Sequence, residues 1–131
     1  MKQRSGILLA TLSLFAMCAY AENRGPEVTV TQFYDASRNG DVDTVLETVS
    51  GSFYNRRKVL LENNDSYNKF LVNYYSGSST NITNSVVDFK SKTAVVTVKT
   101  NYPDQSTHSS ALLLKKAEDG IWKIVDSRAI D

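Results

Sequence analysis

Cysteine and histidine are almost missing from this sequence. Among its 131 residues, Cys18 is the single thiol and His108 the single imidazole. Cys18 lies in an apolar N-terminal segment, so the rest of the chain has no disulfide framework and no cysteine nucleophile. A zinc site would depend on scattered carboxylates, because one histidine supplies a single nitrogen ligand. We therefore predict no metal and no cofactor.

A strong charge of either sign is also missing. The chain has 15 basic and 14 acidic residues, with a formal net charge of +1. This balance gives no electrostatic reason to expect a nucleic acid or an anionic membrane as a partner. A phosphate-binding loop is not indicated either, because the glycines do not cluster and four of them punctuate separate turns. These are Gly40, Gly51, Gly77 and Gly120.

Long apolar runs are missing except at the N-terminus. There the basic segment MKQR precedes GILLATLSLFAMCAYA, which ends in the small-x-small order AYA. This is the pattern of a secretory signal peptide with cleavage after Ala21. Residues 7–19 are too few for a membrane span, which needs about 20 apolar residues. We predict a signal peptide at 1–21, a single domain at 22–131, and a periplasmic or secreted protein with no membrane attachment after cleavage.

Cys18 raises the alternative of a lipoprotein signal, in which the cysteine is acylated. Such signals normally place a small residue before the cysteine, and here that residue is Met17. We therefore rank soluble export above lipid anchoring.

The first half of the remaining chain has the apolar period of helices. Asn39-Gly40 indicates a helix end, because both residues tolerate the left-handed conformation, and Asp41 is suited to cap the next helix. Beyond residue 55 the pattern is less regular: residues 55–64 could form a short helix, and Asp65 or Ser66 could cap a longer one, in which aromatic residues recur at three- and four-residue spacing. We predict helices near residues 27–39, 41–50 and 56–76.

After Thr80 the apolar period changes from 3.6 to 2. Apolar and β-branched runs at 82–89, 93–102, 109–116 and 121–129 are separated by turn signals, which predicts four strands. Alternation in the second strand gives it one buried face and one mostly wet face, as in an antiparallel sheet covered by helices on one side. Helices followed by strands indicate an α+β fold. The buried face of the second strand carries Ala94, Val96, Val98, Thr100 and Tyr102.

Two stretches carry a resemblance to a known superfamily. FYDASRNGDVDTVLETVSGSF is similar to the first two helices of NTF2-like (cystatin-like, cone-shaped) domains. TAVVTVKTNYPDQSTHSSALLLKKAEDGIWKIVD resembles the sheet of small exported domains of unknown function in that superfamily, of the lumazine-binding-like type. The resemblance implies three N-terminal helices packed on a curved four-stranded antiparallel sheet.

The same superfamily contains ketosteroid-isomerase-like enzymes, whose mechanism needs a tyrosine donor on the first helix and an aspartate base after the second. Counting back from Gly40 places Phe33 at the donor position, with Tyr34 one residue away and turned by about 100°. After the second helix, residues 54–58 read YNRRK and contain no carboxylate. The resemblance therefore supports the fold and argues against the isomerase mechanism, so we predict no catalytic residues.

The remaining polar features favour structural roles. His108 lies among serines and threonines with no evident catalytic partner, which indicates an exposed or structural histidine. The basic run Arg56-Arg57-Lys58 is interpreted as a solvated helix face rather than an anion site.

Aromatic residues are the richest feature of the domain. Tyrosines tend to lie where a pocket meets water, because a buried hydroxyl needs a partner. We predict that a ligand site on the concave face is lined by Tyr34, Tyr54, Tyr74 and Tyr102. Asp126 and Arg128 share the sequence parity of Trp122 and Ile124, and are predicted at the open end of the same face. Plain core packing is predicted for Phe33, Phe70, Leu71, Trp122 and Ile124.

These features favour an exported, non-enzymatic binding module that holds a small apolar or planar ligand, or a partner protein, on an aromatic concave face. Two alternatives stay open. One is a small ketosteroid-isomerase-like or SnoaL-like lyase or isomerase, and the other is an immunity or accessory-type protein inhibitor. The outer sheet face also offers a surface for a homodimer, through Thr93, Val95, Thr97 and Lys99.

Overall fold

The computed structural model describes residues 25–62 and 65–130. The predicted signal peptide and its cleavage site lie outside these residues. Four helices precede four strands, which confirms the α+β arrangement. The helices are α1 (Pro26–Asn39), α2 (Val42–Glu47), α3 (Gly51–Glu62) and α4 (Asp65–Tyr75), and the strands are β1 (Ser79–Asp88), β2 (Thr93–Asn101), β3 (Thr107–Lys116) and β4 (Trp122–Ala129).

The strands form one antiparallel sheet in sequence order, β1-β2-β3-β4. Short turns connect each strand to the next, so consecutive strands are neighbours. Aspartates fix the turns: the Asp88 carboxylate accepts the Lys90 and Ser91 backbone N–H groups at 3.0 and 3.2 Å. The four predicted strands are confirmed, with ends that differ by a few residues.

The junction between α1 and α2 follows the predicted chemistry. Gly40 has a left-handed φ of 71°, and the backbone N–H of Asp41 then reaches the Ala36 carbonyl at 2.9 Å. This closes α1 as glycine commonly does. Asp41 in turn accepts the Thr44 backbone N–H at 3.2 Å and the Thr44 hydroxyl at 2.6 Å, which caps α2.

The predicted second helix, at 41–50, begins one residue too early and ends three residues too late. The helix ends at Glu47 because the next residues pair with the sheet instead. Ile124 donates its backbone N–H to the Thr48 carbonyl at 2.9 Å and accepts the Ser50 N–H at 2.9 Å. Gly51, with a φ of 65°, then begins α3.

The helical region predicted at 56–76 consists of two helices, and the longer one predicted to be capped at Asp65 or Ser66 does begin at Asp65. The first, α3, begins at Gly51, five residues before the predicted start, and α4 begins at Asp65. The sequence signal for α3 is weak because, among its described side chains, only Phe53 is buried. A helix with so narrow an apolar face has little periodicity to detect.

The core lies between the inner face of the sheet and the helices. Trp122, Ile124, Phe33 and Leu71 are buried there, as predicted. Phe70 is a correction: it is 56% exposed, and its ring stacks with those of neighbours on the outer face of α4. Phe70 precedes the inward-facing Leu71 by one position, and one position turns a helical side chain by about 100°.

The predicted positions of Asp126 and Arg128 are also wrong. Leu114 pairs with Ile124 and Leu113 with Asp126, so β4 has an extra residue, Val125, in a β-bulge. The bulge reverses the facing of every later side chain. Asp126 and Arg128 therefore lie on the outer face of the sheet.

Trp122 joins the two layers and allows a direct test of the core. Its side chain is 5% exposed, and its backbone carbonyl accepts the buried Thr29 hydroxyl at 2.8 Å. We expect Trp122→Ala to lower the free energy of unfolding by about 3–5 kcal/mol, the range for truncating a buried large aromatic residue. Urea unfolding measures the loss, with Ile121→Ala as the control because Ile121 is 41% exposed. Equal stability of the two variants would contradict this arrangement of the core.

Candidate functional site

A cavity of about 190 Å³ lies between the inner face of the sheet and the helical layer. It occupies the end of the sheet at which the inward side chains become small and polar. Three strands and three helices contribute to it, together with Tyr102 just after β2. The lining residues are Phe33, Tyr34, Phe53, Arg57, Tyr74, Tyr75, Thr100, Tyr102, His108, Ser110, Leu112 and Ser127.

Aromatic rings form a continuous chain along the helical side of the cavity. Tyr34 makes an edge contact with Phe33, at a centroid distance of 5.2 Å, and another with Tyr75, at 6.0 Å. Tyr74 continues the chain with edge contacts to Tyr75 and Tyr102, at 5.0 and 5.3 Å. Edge contacts of this kind hold rings in fixed orientations. The wall is therefore a pre-formed aromatic surface.

Arg57 brings a positive charge to this wall. It lies one helical turn after Phe53, and its guanidinium carbon is 5.2 Å from the centroid of the Phe53 ring. The distance to the centroid of the Phe33 ring is 5.7 Å, so both rings lie within cation–π range. Its Nη1 donates a hydrogen bond to the Tyr67 hydroxyl at 2.9 Å. These contacts hold the half-buried guanidinium at the edge of the cavity.

Three phenol groups of the cavity have a raised pKa. Burial raises the pKa of Tyr34 above its ordinary value of 10.0, and the neighbouring Tyr75 raises it further, whereas Arg57 lowers it in part. Burial is also the main cause that raises the pKa of Tyr75. The pKa of Tyr102 is raised first by burial and then by its hydrogen bond with Tyr74. At neutral pH these groups are therefore available as hydrogen-bond donors.

The sheet contributes hydroxyl groups to the cavity floor. Thr100 and Ser110 are buried on the inner face, and Ser127 reaches the same cavity from β4. None of the described lining residues carries a carboxylate. No group of three acidic, histidine or cysteine side chains in the described ranges is arranged to hold a metal ion. The arrangement is rich in donors and suits an acceptor-rich ligand better than proton abstraction by a carboxylate base.

The structure brings together only part of the predicted site. Tyr34, Tyr74 and Tyr102 line the cavity. Tyr54 packs against the core instead, and the Lys58 ammonium lies 5.7 Å from the centroid of its ring. Asp126 and Arg128 lie on the opposite face of the sheet, beyond the bulge.

Two lining residues were given other roles by sequence reasoning. Arg57 was assigned to a solvated face because α3 was predicted to begin only at residue 56. With the helix beginning at Gly51, Phe53 and Arg57 are four positions apart and share one face. His108 pairs with Thr100 across β2 and β3, which places it at the mouth of the cavity. That position depends on the strand register, which no local motif specifies.

A second depression, of about 260 Å³, lies at the other end of the domain. It is bordered by α1, α2 and the start of β4, and its lining is mainly polar, including Gln32, Glu47 and Lys123. The Lys123 ammonium donates to the Glu47 backbone carbonyl there. Because this depression has fewer aromatic rings than the cavity, the cavity is the better candidate for a ligand site.

Comparisons with known proteins identify the fold but no family. The chain matches no protein-family model and no curated protein. A protein of unknown function with a cystatin-like fold from Methylobium petroleophilum PM1 is similar at a TM-score of 0.53 and 11% identity, over 81% of this chain and 76% of that one. A SEC-C motif containing protein from Rhodopseudomonas palustris is similar at a TM-score of 0.58 and 18% identity, over 85% of each chain. The domain thus has a cystatin-like α+β fold.

The described helices are short or polar. None of them has both the length and the apolarity that are needed to cross a bilayer.

The buried phenol of Tyr34 makes the free energy of unfolding depend on pH in the alkaline range. Unfolded tyrosine loses its proton above about pH 10, whereas the folded protein retains it, because burial raises the pKa of Tyr34. The free energy of unfolding is therefore expected to be insensitive to this group below about pH 10 and to fall above it. The limiting slope from Tyr34 alone is about 1.4 kcal/mol per pH unit.

Urea unfolding of the parent and Tyr34→Phe, at about pH 8 and about pH 11, measures this dependence. The variant lacks the titrating group, so its stability is expected to fall less between the two pH values. Tyr75 and Tyr102 leave a residual slope, because their pKa values are raised as well. An equal fall in both proteins would contradict the assignment to Tyr34.

Proposed function

We propose that this chain is a binding module of the NTF2-like type, which holds a small planar ligand in the cavity between the helices and the sheet. The single observation that carries the proposal is the cavity's ring-lined wall, in which Tyr34, Tyr74 and Tyr102 border an open volume of about 190 Å³. Ligand sites commonly combine aromatic walls with a few convergent polar groups. The hydroxyls of Ser110 and Ser127 supply such groups here.

Binding is favoured over catalysis because of the chemistry of the lining residues. A lyase or isomerase of the kind considered above needs a positioned base with a tuned pKa. The described lining offers His108 at the mouth and no carboxylate. A protein inhibitor would bind its partner through an exposed surface, whereas a ligand-binding module would hold its ligand in the cavity. Whether a ligand occupies the cavity therefore distinguishes the two roles.

Filling the cavity tests the proposal. Ser110 is 7% exposed on the cavity floor, so Ser110→Leu would place an apolar side chain in the space for the ligand. We expect phenol, indole or benzoate to shift amide NMR resonances around the cavity in the parent. Binding to the variant is expected to be at least roughly tenfold weaker, since overlap with the ligand removes most of the contact area.

Ala111→Leu is the matched control, because Ala111 is the next residue and lies on the outer face. Its binding is expected to equal that of the parent. Thermal unfolding of both variants checks that the fold is retained. Unchanged binding to Ser110→Leu, or resonance shifts confined to another surface, would overturn the proposal.

A homodimer through the outer sheet face is a second proposal, supported by a separate observation. Val86, Val95 and Ile130 are 58%, 42% and 50% exposed, which is unusual for a strip of apolar side chains on one side of a domain. Asp126 and Arg128 border the same strip with opposite charges. A two-fold axis would pair each charge with its opposite in the second copy.

Light scattering after size-exclusion chromatography tests the dimer. We expect the parent to have the mass of two chains and Val95→Lys to have the mass of one, because the substitution places a charge in the centre of the strip. Val59→Lys is the control, since Val59 is 61% exposed and belongs to α3 rather than to a strand. A monomeric parent would exclude the proposed dimer.

A further inference from the structure

We propose that the cavity selects single-ring carboxylates, with the ligand carboxylate held by Arg57 and its ring against the aromatic wall. This inference rests on the proposed ligand-binding function and adds the chemical class of the ligand. It does not depend on the dimer.

Arg57 differs from its basic neighbours in how its charge is balanced. Arg56 lies 3.9 Å from a carboxylate oxygen of Asp126, and Lys58 lies 3.9 Å from one of Glu62. Among the described residues, no carboxylate lies within 4.0 Å of the Arg57 guanidinium. Of these three consecutive cations, the one that borders the cavity is the one without an anionic partner within 4.0 Å in the described part of the chain.

The surroundings of Arg57 partly remove its charge from water. Aromatic faces from α1 and α3 cover the guanidinium, and it donates a hydrogen bond to the phenol oxygen of Tyr67. Charge that is partly removed from water is stabilised when an anion pairs with it. A ligand anion in the cavity would supply the missing partner.

The other polar groups of the cavity favour the same ligand chemistry. The phenols of Tyr34 and Tyr75 are protonated donors, because burial raises the pKa of each. The Ser110 and Ser127 hydroxyls can donate as well. Carboxylate oxygens accept several hydrogen bonds, so a carboxylate matches this donor-rich lining. A ligand cation would meet Arg57 and no compensating acidic side chain among the described lining residues.

Size and shape narrow the class further. Pockets for drug-sized ligands usually measure roughly 300–1,000 Å³, whereas this cavity measures about 190 Å³. The space therefore suits one ring with a short polar group and is too small for drug-sized ligands. A planar carboxylate also matches the planar guanidinium, which binds carboxylates through two parallel hydrogen bonds.

A pair of nearly isosteric probes tests the charge preference. Calorimetry would compare benzoate with benzamide, which has the same ring and a neutral group of similar shape, using protein expressed from the full-length sequence. We expect benzoate to bind roughly tenfold more tightly or better, as is typical of a charge-assisted pair compared with a neutral one. Its affinity is also expected to fall with added salt, unlike that of benzamide.

Arg57→Gln tests the residue. We expect it to weaken benzoate roughly tenfold and to leave benzamide within about twofold, because the aromatic wall remains. Arg57→Lys keeps the charge but loses the planar fork, so an intermediate affinity for benzoate is expected. Arg56→Gln is the matched control: it removes the same charge from the adjacent position, and Arg56 is not a lining residue.

The outcomes separate this inference from the proposed function. Equal affinities for benzoate and benzamide would overturn the carboxylate preference, and so would equal losses of benzoate affinity in Arg57→Gln and Arg56→Gln. Neither result would overturn the proposed ligand binding in the cavity. Failure of both probes and of phenol and indole to bind the parent would overturn the pocket as well. Retained benzamide binding in Arg57→Gln shows that the variant has kept the pocket folded.

Discussion

The arrangement of the domain depends on two backbone hydrogen bonds made by Ile124. Through its N–H and its carbonyl, Ile124 pairs with the segment between α2 and α3, and so attaches the helical layer to β4. This pairing ends α2 early, because Thr48 and Ser50 direct their backbone groups to the sheet rather than to another helical turn. It also fixes where α3 begins, and hence where Phe53 and Arg57 face the inner surface. The bonds are short and buried against a fully buried side chain, so they are protected from competition with water.

A gradient of side-chain size along the inner face of the sheet then produces the cavity. On β3 the inward residues change from Leu114 and Leu112 to Ser110, whereas on β2 the change from Val98 to Thr100 is one of polarity at nearly constant size. The cavity lies beside Leu112 and Ser110, where the inward side chains of β3 become smaller. The aromatic side chains of α1 and α4 border this space but do not fill it. The same strands therefore supply the core at one end and a polar floor at the other.

Sequence patterns predicted most of this fold and part of the candidate site, and the differences have physical causes. Alternation and turn residues specified the strands because one face of the sheet is buried. The α1–α2 junction was equally clear, since glycine and a capping aspartate act locally. The bulge at Val125 has no local signature, so parity placed Asp126 on the wrong face. The start of α3 was missed because a helix with one buried described residue has little periodicity, and Arg57 was missed with it.

The positions of the acidic residues explain why, in the described part of the chain, no carboxylate lies within 4.0 Å of Arg57. The chain has nearly equal numbers of basic and acidic residues. Carboxylates are abundant, but several are committed to local backbone geometry: Asp41 caps a helix, and Asp88 and Asp104 accept backbone N–H groups in turns. The Thr44 hydroxyl is the main cause that lowers the pKa of Asp41, the Ser106 hydroxyl that of Asp104, and the Ser91 backbone N–H that of Asp88, so these carboxyls remain charged at the periphery. The polar lining of the cavity, as far as the structure describes it, thus consists of phenols, hydroxyls, the His108 imidazole and the Arg57 guanidinium. The chemistry of the cavity therefore depends on the residues that line it and also on the acidic residues that are held elsewhere, in turns and helix caps.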